Sequence, residues 1–503
     1  MPQINIYVSN RINIQIPTDV LTPDLDDFLS KIKEENTLAN PAFTEAQKRG
    51  RWTGRISPVI PLVRIDKDGI SLPRGYASRV LGWAKRYGIE YTYKDYRLEL
   101  PMVAFESKIE LRPYQKPAVE ALLRATQGVL VAPARSGKTE SMLEVAARIG
   151  QPTLWLTHTK DLAKQTMLRA EEKLGLSGKE LGIIGDSKCK IGEKLTIGII
   201  QSLCRMDLNE LKMLFGLVIV DEIHHVGGSV TWIDVIDQLP ARWKYGCTAT
   251  WDRKDQLEVV TERYIGPILY KVDRSQVQLS GTVMTPRLRT INTGSISENF
   301  IKHEDRIKEW EKKCEEARLN LVKEPRKPLM DFNAIMLDLA CDSDRNHLIV
   351  QTLIQECPGH FSLVLAKRVD HIETLCSMLC ASEAGLRCAV VHAKLPDKRR
   401  SEVLTAMKEG SLDVLFAVEL AKEGLDISRL DRLFLVAGRN DENAVEQATG
   451  RIQGVCFGKR DCVVFDFVDE AIPVLAAQFW TRKKVYLKLG MLGNQPGQRR
   501  QVG

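Results

Sequence analysis

No apolar run in the 503-residue sequence approaches the roughly 18 residues that a helix needs to cross a bilayer, so a membrane is not an expected partner. The opening stretch MPQINIYVSN has neither a basic n-region nor an apolar h-region, and the chain is expected to stay in a cytoplasm where it is made. There is no Cys-x-x-Cys. The 11 cysteines are scattered, and the closest pair, Cys376 and Cys380, stands one helical turn apart in an apolar stretch. A disulfide framework or zinc site is therefore not expected, whereas buried reduced thiols are. A nuclease signature of the P-D…D/E-x-K kind does not stand out either. Charge of one sign is also scarce: a net +7 does not by itself announce a polyanionic partner.

The content that is present, 44% hydrophobic and 27% charged, suits a soluble globular chain of two to four domains. The positive charge is unevenly placed. Between Glu45 and Arg97 stand twelve basic residues against five acidic ones, an excess equal to that of the whole chain. From about Ile109 onward, short apolar runs alternate with helical patterns, the signature of parallel sheets covered on both faces. The first series reads GVLVAP, TLWLT, LTIGII, LVIVDE and YGCTAT; the second reads FSLVLA, RCAVVH, LDVLFA, RLFLVA and CVVFDF. Between the two series, Lys302 to Pro328 is charge-dense and ends in proline, reading as a solvated helix or as a mobile element that touches substrate. Before Ile109, INIYVSNRINIQIP reads as a hairpin and GYASRVLGWAKRYG as a helix, which makes a separate small α+β domain. The end, GNQPGQRRQVG, is polar and expected to be disordered.

Two stretches carry chemistry. VLVAPARSGKTESMLEVAARIG puts a strand, a loop ending in Ser136-Gly137-Lys138-Thr139 and a helix in that order. Backbone N–H groups of such a loop cradle phosphates, Lys138 reaches the β- and γ-phosphates, and the Thr139 hydroxyl ligates Mg²⁺. The first glycine of the usual G-x-x-x-x-G-K-T is replaced by Ala132. LVIVDEIHH supplies a second half: a strand ending in two carboxylates, with Asp221 toward the metal and Glu222 polarising the attacking water. ATP and Mg²⁺ are the expected ligands.

With those residues in place, the chain resembles a superfamily 2 helicase over nearly its whole length. LRPYQ, containing Arg112 and Gln115, is similar to the adenine-reading Q-motif, APARSGKT to motif I, LTHTKDLAKQ to motif Ia, TIGIIQSL to motif Ic, DEIHH to motif II and TAT (Thr248 to Thr250) to motif III. VELAKEGLDI resembles motif V, with Gly424 and Asp426, and QATGRIQG resembles motif VI, with Gln447 and Arg451. The resemblance implies an α/β fold of two tandem RecA-like parallel-sheet domains behind the small N-terminal domain. The expected limits are 1–105 for the accessory domain, 106–290 and 331–475 for the RecA-like domains, 291–330 for a charged linker and 476–503 for a basic tail. It also implies nucleic-acid contacts at His158, Lys160, Gln201 and Lys394, and coupling through Thr248, Thr250, Gly424 and Asp426. The segment TATWDRKD is similar to one in the XPB-type branch, with Arg253, Lys254 and Asp255 as a strand-separating element. NPAF, GRWTGR and LPRGYASRVLGWAKRYG resemble the accessory domain of UvsW-type phage helicases, in which Trp52 and Arg55 would meet DNA; Trp52 as a core residue is the alternative.

Motif VI commonly ends in a second arginine, and here that place holds Gly454. Arg451 acts alone, a nearby cation such as Lys459, Arg460 or Arg439 substitutes, or ATP is bound and hydrolysed poorly. The family resemblance implies a DNA helicase or translocase acting on forks, Holliday junctions, D-loops or R-loops in replication, recombination and repair. Its expected partners are branched or duplex DNA and single-strand-binding or recombination proteins, and the chain is expected to be a monomer, in the host cytoplasm if viral. The rivals are an RNA helicase and an ATP-gated DNA-binding or annealing module.

Overall fold

The computed structural model describes residues 4–16, 22–48, 50, 52–66, 69–253, 255–418, 427–438 and 441–492. Two compact units make up the chain, Met1–Val277 and Gln278–Gly503.

The first unit opens with a five-stranded sheet. Alternation in INIYV turns Ile4, Ile6 and Val8 to one face, where Ile12 and Ile14 of the antiparallel strand Arg11–Gln15 join them. The helix Pro23–Glu35 begins where Thr22 caps it, its side chain accepting from the Leu25 N–H at 3.3 Å, with proline in its first turn. It covers that face with Leu25, Phe28, Leu29 and Ile32, spaced by three and four residues. The expected hairpin is present. It is extended by Gly69–Pro73 and Arg64–Asp66 on one side and by Tyr91–Asp95, parallel to the first strand, on the other.

An eight-stranded sheet follows, in the order Lys188–Lys190, Leu181–Gly185, Leu195–Ile199, Thr153–Thr157, Leu217–Asp221, Trp243–Thr248, Gln127–Val131, Ile268–Lys271. Every neighbouring pair is parallel except the first. The central strands Thr153–Thr157, Leu195–Ile199 and Leu217–Asp221 are buried along their whole length, as strands covered on both faces must be.

Buried cations join the two sheets. Arg11 donates from Nη1 to both oxygens of Asp237, at 2.8 and 2.7 Å, and from Nε to Ser71 Oγ at 2.9 Å. Arg74 donates to the Ala241 carbonyl at 2.5 Å and to Gln127 Oε1 at 2.9 Å. Gly75 lies so close to the helix Glu258–Ile265 that a Cβ there would stand 2.2 Å from the Glu262 carbonyl oxygen. The basic excess read from composition is thus partly spent inside the unit: Arg74 is buried, Arg64 pairs with Asp237, Arg79 with Glu262 and Arg97 with Asp95.

The second unit is a six-stranded, all-parallel sheet in the order Arg287–Asn292, Val463–Val468, Arg432–Leu435, Ser362–Ala366, Val414–Val418, Cys388–Val391. Its first strand corrects the expected boundaries. Residues from Gln278 belong to this unit, and Arg287–Asn292 pairs along Val463–Val468, so the domain does not wait until residue 331. The charged segment forms the helix Glu298–Leu319, capped by Ser297, and only His303, Cys314 and Ala317 of its residues are buried. The basic tail is corrected too. Pro473–Lys488 is a helix, and its Arg482, buried against Asp466 at 2.8 and 3.0 Å with Tyr486 donating to the same carboxylate at 2.8 Å, anchors it to the sheet. A charge count cannot separate a solvated lysine from a buried, paired arginine. The terminal GNQPGQRRQVG, residues 493–503, lies outside the described residues. All 11 cysteines are free thiols, and four are exposed rather than buried.

Candidate nucleotide-binding site

The strand Gln127–Val131 feeds a loop that closes on the helix Lys138–Ile149. Gly137 caps that helix with φ +76°, a left-handed backbone that glycine adopts without penalty, and a Cβ there would meet Gln115 Nε2 at 2.4 Å. Gln115 is buried and holds the loop: its Nε2 donates to the carbonyls of Ser136 at 3.0 Å and Gly137 at 3.1 Å, while its Oε1 accepts from the Arg112 N–H at 2.8 Å. The Tyr114 hydroxyl donates to Ser136 O at 3.1 Å and accepts from Arg112 Nη1 at 2.9 Å. The residues expected to read the base therefore also set the shape of the phosphate loop, a role that motif spacing could not reveal. Beside them opens a cavity of about 310 Å³, lined by Lys108, Glu110, Arg112, Gln115 and Glu140 among others, a size that suits a small ligand.

Lys138 makes one hydrogen bond among the described residues, a long one of 3.4 Å to the Ala132 carbonyl. Ser136 Oγ is buried with no hydrogen-bond partner among them. Asp221 ends the buried strand Leu217–Asp221, and its Oδ1 accepts from the Glu222 N–H at 3.0 Å and the Cys247 thiol at 3.3 Å. Burial, then the adjacent Glu222 charge, pushes the Asp221 carboxyl upward. For Glu222 burial acts in the same sense, but the Lys138 charge and the neighbouring histidines outweigh it and hold the carboxyl below its ordinary value. Glu222 adopts φ +47°, outside ordinary strand geometry, which turns the chain at the end of the strand. Its Oε2 stands 3.3 Å from His224 Nδ1.

His224 links this pair to the next strand end. Its Nδ1 is 3.1 Å from Thr248 Oγ1, whose own proton goes to the Thr250 carbonyl at 2.9 Å, so the imidazole is the donor. The Thr250 N–H donates back to Thr248 Oγ1 at 3.2 Å. The His225 ring lies tilted 4.3 Å from that of His158 and 4.2 Å from that of His224, so His158, expected at a phosphate, packs against the turn that follows Glu222. Arg253 likewise has partners inside the unit: it donates to the His224 carbonyl and, at 2.8 and 2.6 Å, to both oxygens of Asp255. Lys160 pairs with Asp186. Gln201 is exposed, and Trp52 is 73% exposed with Arg55 over its ring at 5.9 Å, which removes the core reading of that tryptophan. Lys254 lies outside the described residues.

In the second unit, Gln447 lies on the helix Glu442–Gly450 and Arg451 caps its end, four residues on and so on the same face. Gly454 is buried and bridges to Val283. Lys459, one of the cations expected to substitute there, has its ammonium donating to the carbonyls of Leu430 at 2.6 Å, Gly454 at 2.7 Å and Ile452. Arg460 is exposed, whereas Arg439, Gly424 and Asp426 lie outside the described residues. Lys394 is exposed in the turn after the strand Cys388–Val391.

Two family models match in tandem, the res subunit of type III restriction enzymes over residues 108–253 and the helicase conserved C-terminal domain over residues 345–453. The chain belongs to the superfamily 2 helicases. Among relatives, a protein named as a probable helicase of Escherichia phage T5 is 25% identical over 388 residues, 76% of each chain. A DNA 3'-5' translocase, XPB2 of Sulfurisphaera tokodaii, is 25% identical over 370 residues, 70% of this chain and 80% of the other. The structure of S. cerevisiae Dbp5 bound to RNA and ADP BeF3 superposes at TM-score 0.51 with 15% identity, over 77% of this chain and 88% of that one, a likeness of fold. The helicase is ATP-dependent, and the loop and carboxylate pair are its candidate nucleotide half-site.

Proposed function

We propose that this helicase is a DNA translocase of the UvsW/XPB-like branch that remodels branched DNA, such as forks and Holliday junctions, during replication, recombination and repair, as a monomer in the cytoplasm. The observation that carries the reading is the exposed Trp52 with Arg55 beside it, on a module locked to the ATP-binding sheet by Arg11 and Arg74. An aromatic face next to a guanidinium supplies base stacking and phosphate contact together. Because the module is bonded to the sheet that binds ATP, a strand held there moves with it.

Within the site, Lys138 neutralises phosphate charge and the loop N–H groups orient the β- and γ-phosphates. Glu222, ionised and turned by its left-handed backbone, orients and polarises the attacking water. Gln447 and Arg451, on one helix face of the second RecA-like domain, are the residues proposed to sense the γ-phosphate. The Thr139 hydroxyl and Asp221 carboxylate form a hard oxygen pair suited to Mg²⁺, and the unpartnered Ser136 Oγ marks polarity left for a ligand. Mg²⁺ bound there would neutralise phosphate charge.

Steady-state ATP hydrolysis, measured with no nucleic acid, duplex, single strand, a synthetic fork and RNA, tests the reading. Fork DNA is expected to stimulate turnover most, and Trp52→Ala to weaken fork binding by roughly 1–3 kcal/mol. Equal or greater stimulation by RNA would make this an RNA helicase. Fork binding gated by ATP with no turnover would make it a switch.

A further inference from the structure

Three cysteines that the sequence leaves unconnected meet at one point of the second unit. Cys376 and Cys380 lie four residues apart on the helix Val369–Ala381, hence on one face, and Cys388 opens the strand Cys388–Val391. Cys388 Sγ stands 3.5 Å from Cys376 Sγ and 2.9 Å from Cys380 Sγ, and all three sulfurs lie within 4.8 Å of one another. Four ligands placed tetrahedrally about 2.3 Å from a zinc ion are about 3.8 Å apart, so the three sulfurs need only small rotamer adjustments to enclose one. Cys376 is buried, Cys388 half-buried and Cys380 exposed, which gives the cluster an anchored base and an open side.

We propose that Cys376, Cys380 and Cys388 form a three-thiolate site for a thiophilic d10 cation, zinc in the first instance, with its fourth position open to water. A disulfide would use two of the sulfurs and leave the third without a task, whereas a soft cation uses all three. Binding releases the three thiol protons to solvent and involves no redox change. In the metal-free state the sulfurs hydrogen-bond to one another, and burial with these contacts keeps the Cys388 and Cys380 thiols protonated. The position gives the site a purpose that does not depend on the DNA reading. Cys388–Val391 is one of the two edge strands of its sheet, only four residues long, and it runs into the turn that carries Lys394. A metal at its first residue would pin that edge to the helix behind it.

The test is titration of the chelator-treated full-length protein with Co²⁺ and then Zn²⁺, for the parent and for Cys380→Ser, Cys388→Ser and Cys204→Ser. The expected result is one Co²⁺ per chain with a thiolate charge-transfer band and tetrahedral d–d absorption, displaced by one equivalent of Zn²⁺. The band should be lost in Cys380→Ser and Cys388→Ser and retained in Cys204→Ser, an exposed cysteine elsewhere. Because Cys380 is exposed, its serine variant is expected to fold, and circular dichroism checks that it does. No stoichiometric band in the parent, or a band that survives both cluster variants, would overturn the site. So would a Cys380–Cys388 disulfide in the freshly purified protein, detected as two missing thiols and a linked peptide.

Discussion

Lys138 and Lys459 each sit beside a glycine-bearing loop at the end of a parallel sheet, yet the two units spend them differently. Among the described residues Lys138 makes one long hydrogen bond, 3.4 Å to Ala132 O, whereas Lys459 has three carbonyls around its ammonium. A lysine whose three protons are matched within the protein is a structural cap, and one held by a single weak bond is poised for a ligand. The contrast supports the proposal that phosphate binding belongs to the loop of the first unit; within the second unit, Gln447 and Arg451 share one helix face and Gly454 pairs through its backbone with Val283.

The strongest way to break this contrast is Arg451→Ala. If Arg451 carries the cationic assistance of the second unit, turnover should fall by roughly 10³–10⁵-fold while nucleotide binding persists, as checked by single-turnover hydrolysis beside a fluorescent-nucleotide titration. A loss below about tenfold would mean that another cation does this work. Gly454→Arg is a poor rescue, because that position is buried against Val283.

Lys459→Met sharpens the other side. Stranding three carbonyls should destabilise the second unit by on the order of 4 kcal/mol, since each unmatched buried group costs about 1–3 kcal/mol and the loop relaxes in part. Denaturant unfolding would show this, with turnover per folded molecule nearly unchanged. Intact stability with collapsed turnover would instead return Lys459 to the catalytic machinery.

A smaller effect concerns acid. His371 is buried in the second unit with Nε2 2.9 Å from Asn346 Oδ1, and burial, then the Arg345 charge, lowers it from 6.5 to about 4. The folded state therefore prefers the neutral ring. Its contribution is fully present above pH 6.5 and is lost as pH falls from 6.5 through about 4, a total of about 3 kcal/mol. Hydrogen exchange of the strand Ser362–Ala366 should accelerate over that window, and His371→Gln should flatten the dependence; an unchanged slope would assign the acid response to other groups.

Much of the fold could be read from the chain because its signals are local. LVIV is apolar because a central parallel strand is covered on both faces, and SGKT leads into a helix whose N-terminus is the kind of place where phosphates bind. The strands Leu181–Gly185, Ile268–Lys271 and Arg287–Asn292 escaped for the same reason. The first is glycine-ended and the other two lie at sheet edges with exposed, charged positions, so neither continuous apolarity nor clean alternation marks them. The candidate site divided likewise: Lys138, Asp221 and Glu222 were visible in their motifs, while the clamp made by Gln115 and Tyr114 and the brace made by Arg253 depend on where their partners come to rest.

The sequence alone determined the α/β class, the order of the motifs, the candidate phosphate loop and carboxylate pair and the absence of a second motif VI arginine, because each is written in contiguous residues. Tertiary structure decided that Arg11 and Arg74 weld a seam, that Lys459 caps a loop and that Cys388 joins a pair twelve and eight residues upstream. Spacing along the chain encodes periodicity on one element. Whether a charge or a thiol meets solvent, a carbonyl or another sulfur depends on which elements pack together, and only the folded arrangement supplies that.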